Sequence, residues 1–93
     1  DTKLVPESLV LISAYPNPFN PMTRLSFELP FEQDATLQIL DLQGKVIETL
    51  VSGNMDAGYH TLQWNASEFS SGVYFVKLIA GKDVDVQKLM LIK

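Results

Sequence analysis

Histidine and the acidic side chains are the residues of this sequence that could carry acid–base or metal chemistry. His60 is the only histidine and there is no cysteine, so no second imidazole or thiolate could complete a zinc site or a nucleophile–base pair. Asp83 and Asp85 lack the closely spaced oxygen ligands of a calcium loop, and the glutamates are dispersed along the chain. We therefore expect no catalytic residue, no metal ligand, no cofactor and no enzyme. His60 is predicted to be a sheet residue, and the two aspartates are predicted to be solvated turn carboxylates.

Aromatic side chains are the second group with a chemical use, because their rings can stack on sugars. Phe27, Trp64 and Tyr74 fall on predicted strands, where a sandwich fold needs bulky core residues. Phe19 and Phe69 fall in loops and are predicted to plug the ends of such a sandwich. Core packing is the favoured interpretation, and a carbohydrate-binding module stays open as a lesser alternative.

Composition limits the chain to one globular domain. It has 93 residues, of which 46% are hydrophobic and 19% are charged, so it can bury a modest core. The formal net charge is -4 and the seven basic residues are scattered, so nucleic acid is not an expected partner. No apolar run approaches the roughly 20 residues that span a bilayer, and no signal peptide is recognisable. Because the chain starts at Asp1 rather than at methionine, we expect it to be a piece of a longer protein.

Short apolar segments separated by turn residues predict the fold. Residues 1–8 are polar and are predicted to be a linker that enters the domain, and residues 9–93 are predicted to form the domain. In the segment 23–29, Thr23, Leu25, Phe27 and Leu29 alternate with polar residues, as in a half-buried strand. Further strands are expected at 9–12, 35–39, 46–51, 59–65, 73–80 and 84–92. Of these, 35–39 alternates in the same way with Leu37 and Ile39 inward, 46–51 is apolar on both faces, and 73–80 is nearly all apolar, which suits a central strand. A turn is expected at 41–44, a polar loop at 52–58 and a hairpin turn at 81–83. The pattern predicts an all-β, seven-stranded antiparallel immunoglobulin-like β-sandwich.

A corner rich in proline and asparagine follows the first strand. It consists of Pro16, Asn17, Pro18, Phe19, Asn20 and Pro21. Proline lacks a backbone N–H and fixes φ, so this segment can join neither a ladder nor a helix interior. Asparagine side chains favour turns by bonding nearby backbone. We therefore predict a rigid, kinked corner.

This corner and the segments after it resemble the type IX (Por) secretion C-terminal sorting domain. The resemblance continues at 37–46, 57–60, 64–65 and 71–75. It ends with Lys88, Leu89, Met90, Leu91, Ile92 and Lys93. The corner and the Gly72-Val73-Tyr74 element also occur in immunoglobulin-like domains related to the flagellar hook-capping protein.

The resemblance implies a sorting signal at the end of a larger exported protein. It implies that a cargo domain precedes this one, that the protein crosses the periplasm, and that the outer-membrane translocon recognises the folded domain. A sortase-like peptidase would then cut and attach the cargo at the cell surface, or the cargo would become extracellular. The implied recognition residues are Gly72, Tyr74, Lys88, Leu89, Met90, Leu91, Ile92 and Lys93. The alternative is a structural immunoglobulin-like spacer of a bacterial exoprotein.

The last strand carries two further predictions. At a sheet edge, its backbone N–H and C=O groups would be available to a partner, a second copy of this chain included. Lys77, Lys82, Lys88 and Lys93 lie in the last seventeen residues of an otherwise acidic chain. This cluster predicts either a docking patch or an edge kept soluble by charge, and both interpretations stay open.

Overall fold

Seven strands make up the fold in the computed structural model, which describes residues 11–93 and, of Leu11, the backbone alone. They are β1 (Leu11–Tyr15), β2 (Met22–Leu29), β3 (Gln33–Leu40), β4 (Val46–Met55), β5 (Gly58–Asn65), β6 (Gly72–Ala80) and β7 (Asp83–Leu91). Within these residues there is no helix, and hence none long and apolar enough to cross a membrane. The prediction of an all-β chain with seven strands is confirmed.

The strands form two antiparallel sheets. One sheet has the order β1-β2-β5 and the other has the order β4-β3-β6-β7. β6 pairs with both β3 and β7, which confirms the prediction of a central strand there. β7 lies at the edge of the four-stranded sheet, as predicted for the last strand.

The core lies between the two sheets, as the alternation of residue types requires. In β2, Thr23, Leu25, Phe27 and Leu29 are all buried, so the predicted inward face is confirmed. The other sheet contributes alternate side chains of β3, β6 and β7 to the core. These are Ala35, Leu37, Ile39, Tyr74, Val76, Leu78, Ala80, Leu89 and Leu91.

Two strand ends differ from the prediction by three residues or more. β1 reaches Tyr15, beyond the predicted end at Ile12; the linker at 1–8 and the start of the predicted first strand lie outside the described residues. β4 continues to Met55, where a polar loop was expected from residue 52. Ser52 and Asn54 pair with Thr36 and Asp34. An edge strand pairs through its backbone, so it needs no apolar side chain to continue.

The turn between β3 and β4 is confirmed where it was predicted. The Asp41 carboxylate accepts bonds of 2.9 Å from the backbone N–H groups of Gln43 and Lys45. Gly44 closes the turn with a φ of 86°, a conformation that costs glycine little. The ladder shifts register between Ile39 and Leu40, which accounts for the broken alternation of the sequence at this point.

Candidate functional site

An aromatic cluster fills one end of the sandwich. Trp64 is 1% exposed, and its ring centroid lies 5.6 Å from that of Phe19, 5.7 Å from Phe69 and 5.9 Å from Tyr74. The indole Nε1–H donates to Oε1 of Glu48 at 2.9 Å. The core and plug roles predicted for these rings are confirmed. The partner Glu48 was missed, because β4 is apolar on both faces in the sequence and its inward side could not be chosen.

Gly72 and Tyr74 shape the start of β6. The Tyr74 hydroxyl donates to the Ser70 carbonyl at 2.6 Å and so fixes the loop that leads into the strand. Gly72 has a φ of 151°, and an added Cβ would meet no atom within 4 Å. The glycine is thus required by its backbone conformation rather than by space. Gly72 and Tyr74 thus set the conformation at the start of β6, and Tyr74 is buried, as its predicted packing role requires.

The proline–asparagine corner is fastened to the last strand. Nδ2 of Asn17 donates to the Lys88 carbonyl at 2.8 Å, and the Met90 N–H donates to Oδ1 of Asn17 at 3.0 Å. Phe19 then pairs through its backbone, donating to the Met90 carbonyl and accepting from the Ile92 N–H, both at 2.9 Å. The prediction that Asn17 bonds nearby backbone is wrong, since its partners lie 71 and 73 positions away. The side-chain amide of Asn17 thus provides β7 with one donor and one acceptor, as the backbone of a neighbouring strand would.

These contacts correct the prediction that the edge of the last strand is available to a partner. Backbone groups of alternate residues in a strand point to the same side. Backbone groups of Lys88, Met90 and Ile92 point toward the corner, where they form hydrogen bonds with Asn17 and Phe19. The edge of β7 is therefore closed over its second half.

The first half of β7 lies beside β1. The Ile12 N–H donates to Oδ2 of Asp85 at 2.9 Å, and Asp85 is half-buried within β7. The prediction of a solvated turn carboxylate is wrong for Asp85, because the carboxylate joins the two sheets across this edge.

The outer face of the β6–β7 hairpin is a feature that the sequence did not single out. β6 directs Val73, Phe75, Lys77 and Ile79 away from the core, and β7 directs Val84, Val86, Lys88 and Met90 the same way. We call these eight residues the hairpin face. Val84 is 55% exposed and Val86 is 50% exposed. In the sequence, residues on both faces of β6 are apolar, and this pattern was interpreted only as the burial of a central strand.

The four lysines near the end of the chain are spread over different parts of the domain. Lys77 and Lys88 lie on the hairpin face, opposite Val86 and Phe75 respectively. Lys82 lies in the turn between the strands, and Nζ of Lys93 donates to the Ser67 carbonyl at 2.6 Å. Two of the four, rather than all of them, share one surface.

His60 and the exposed tyrosines lie on strands of the three-stranded sheet. The ring of His60 stacks on Phe27 with centroids 5.3 Å apart, and its Nε2 lies 2.8 Å from the Asp56 carbonyl, so it is the sheet residue predicted. No group of three or more metal-ligating side chains is found between residues 11 and 93. Tyr15 and Tyr59 are exposed on the outer face of the three-stranded sheet, apart from the buried aromatic cluster.

A comparison with protein families gives the identity of the domain. A family model described as a secretion system C-terminal sorting domain matches residues 13–93, which covers all seven strands except the first two residues of β1. No curated protein that was compared with the chain matches it. A type IX sorting domain implies a cargo protein joined upstream, interaction with the secretion machinery, and export to the cell surface or the extracellular space. The chain belongs to the family of secretion system C-terminal sorting domains.

Proposed function

We propose that the domain is the sorting signal of a larger exported protein. The protein crosses the inner membrane into the periplasm, and the outer-membrane type IX translocon then recognises the folded domain. The family match over residues 13–93 carries this proposal. The domain contributes recognition and no chemistry of its own, and the machinery supplies the later steps. In those steps a sortase-like peptidase cuts ahead of the domain and attaches the cargo at the surface.

The placement of the implied recognition residues supports a folded signal. Leu89 and Leu91 are buried and hold the last strand against the core. Lys88, Met90 and Ile92 alternate with them and are exposed. The inward-facing residues therefore hold the last strand in position, and the outward-facing residues are those that a partner can contact.

A reporter fusion tests the proposal. The 93 residues are placed behind a periplasm-targeted fluorescent protein, in a bacterium with type IX machinery and in its translocon-deficient twin. We expect fluorescence at the surface or in the medium of the first strain alone, and none there for the fluorescent protein without the domain. Equal periplasmic retention of an intact, folded fusion in both strains would favour the structural spacer.

A further inference from the structure

The hairpin face is more apolar than the surface of a sandwich requires. Six of its eight side chains are apolar, and they lie side by side as cross-strand pairs such as Val73 with Met90 and Ile79 with Val84. The outer face of the other sheet carries polar side chains at most of the described positions. Examples are Ser13, Arg24, Ser26, Glu28, Thr61 and Gln63. An antiparallel sheet with a solvated face alternates in this second way, and a contiguous exposed apolar surface marks an interaction site.

The closed edge of β7 decides how a partner can bind. Strand addition needs a row of unpaired N–H and C=O groups. Over Lys88–Ile92 the outward groups already bond Asn17 and Phe19, so an added strand would have to displace the corner. A partner reaches this end of the domain without disrupting it only through exposed side chains.

The charges of the hairpin face indicate the nature of the partner. Lys77 and Lys88 are its two charged residues and are diagonal neighbours on adjacent strands. The residues of this face include no carboxylate, although the chain as a whole has a net charge of -4. A complementary partner is apolar where it meets the valines and carries carboxylates opposite the two lysines.

Charge also argues against two other candidate occupants of the hairpin face, a second copy of this chain and an anionic lipid surface. In a two-fold dimer the same patch faces itself, so two hairpin faces packed together would bring the four lysines of two copies into one interface. An anionic lipid surface would be attracted by two lysines and repelled by the remaining net charge of the chain.

We propose that the hairpin face is the docking surface of the domain, and that its occupant is an acidic, apolar protein surface of the secretion machinery, bound through side chains rather than by strand addition. This rests on the proposed function, since the fusion must be exported before its docking can be measured. The residues that decide docking are then Phe75, Lys77, Val84, Val86, Lys88 and Met90. Most of them precede the terminal segment from Lys88 to Lys93 that the resemblance singles out.

Export of fusion variants tests the proposal. Lys77→Glu with Lys88→Glu reverses the charge of the face, and Val84→Thr with Val86→Thr makes it polar at nearly constant shape. The matched controls are Lys45→Glu with Lys82→Glu and Leu42→Thr with Val46→Thr, because these residues are exposed outside the hairpin face. We expect each face variant to lower the exported fraction at least about tenfold and each control to change it less than about twofold. Thermal melts of the purified fusions verify that all four variants are folded.

The outcomes separate the two proposals. If the parent fusion is not exported, the proposed function fails and the docking surface fails with it. If the parent and both face variants are exported alike, the proposed function stands and the docking surface is refuted in favour of backbone pairing at the edge. Lysine-dependent binding of the parent to phosphatidylglycerol vesicles, or a dimer in sedimentation that the face variants abolish, would also overturn the assignment to an acidic protein.

Discussion

Asn17→Ala removes the side-chain amide that joins the proline–asparagine corner to the last strand. The substitution deletes two hydrogen bonds, one to the Lys88 carbonyl and one from the Met90 N–H. A typical hydrogen bond contributes about 0.5–1.5 kcal/mol net to stability, so the pair is worth roughly 1–3 kcal/mol. Both bonds are exposed, and water can replace the amide after its removal. We therefore expect a loss in the lower half of that range, about 1–2 kcal/mol.

Denaturant unfolding and amide hydrogen exchange measure this loss in two ways. The midpoint in urea should fall by the amount that corresponds to the expected free energy, with an unchanged m-value. The Met90 amide should lose protection selectively, because its acceptor is the Asn17 side chain. The Val76 amide, in a strand paired on both sides, exchanges through global unfolding, so it should lose protection only by the fall in global free energy and less than Met90 does.

Asn20→Ala is the matched control. Asn20 lies in the same corner and is exposed, and no side-chain hydrogen bond to it is found within residues 11–93. We expect it to change stability by less than about 0.5 kcal/mol. Equal losses for the two variants, or unchanged Met90 protection in Asn17→Ala, would refute the conclusion that the Asn17 amide closes the edge of β7.

Three further substitutions test the interior of the domain. Trp64→Ala should destabilise it by roughly 3–5 kcal/mol in denaturant melts, because a fully buried indole is lost from the aromatic cluster; a loss below about 1 kcal/mol would contradict its central position. Gly72→Ala should cost about 1–3 kcal/mol through backbone strain at a φ of 151°, and an unchanged melting temperature would show that the strand start relaxes freely. Tyr74→Phe should keep the ring packing, as seen in the near-UV circular dichroism, and should lose about 0.5–1.5 kcal/mol with the bond to the Ser70 carbonyl. A loss for Tyr74→Phe as large as that for Trp64→Ala would mean that the hydroxyl has a role beyond this bond.

The fold could be predicted from the sequence wherever one face of a strand is buried and the other is polar. β2 and the centre of β3 alternate in this way, and their inward residues were predicted correctly. The end of β4 could not be predicted by the same rule. Its residues Ser52, Gly53 and Asn54 have the composition of a loop, and only their pairing with β3 makes them a strand.

The site was less predictable, because its defining contacts join distant parts of the chain. Local rules assign an asparagine beside prolines to a turn of its own, whereas the partners of Asn17 belong to the last strand. The hairpin face was hidden for a related reason. Valines in a terminal strand predict burial from composition, and the partner sheet covers one phase of β7 alone.

If the proposed function holds, these contacts would make recognition of the last strand depend on folding. An isolated two-stranded hairpin is marginally stable in water, and the last residues of a chain are usually poorly ordered unless they are tied down. Here β7 is held by the burial of Leu89 and Leu91, by its pairing with β6 and by the corner. Phe75 and Lys88 become neighbours only when β6 and β7 pair in register. A partner that contacts both side chains therefore recognises the folded domain, and it would discriminate against an unfolded chain that carries the same terminal sequence.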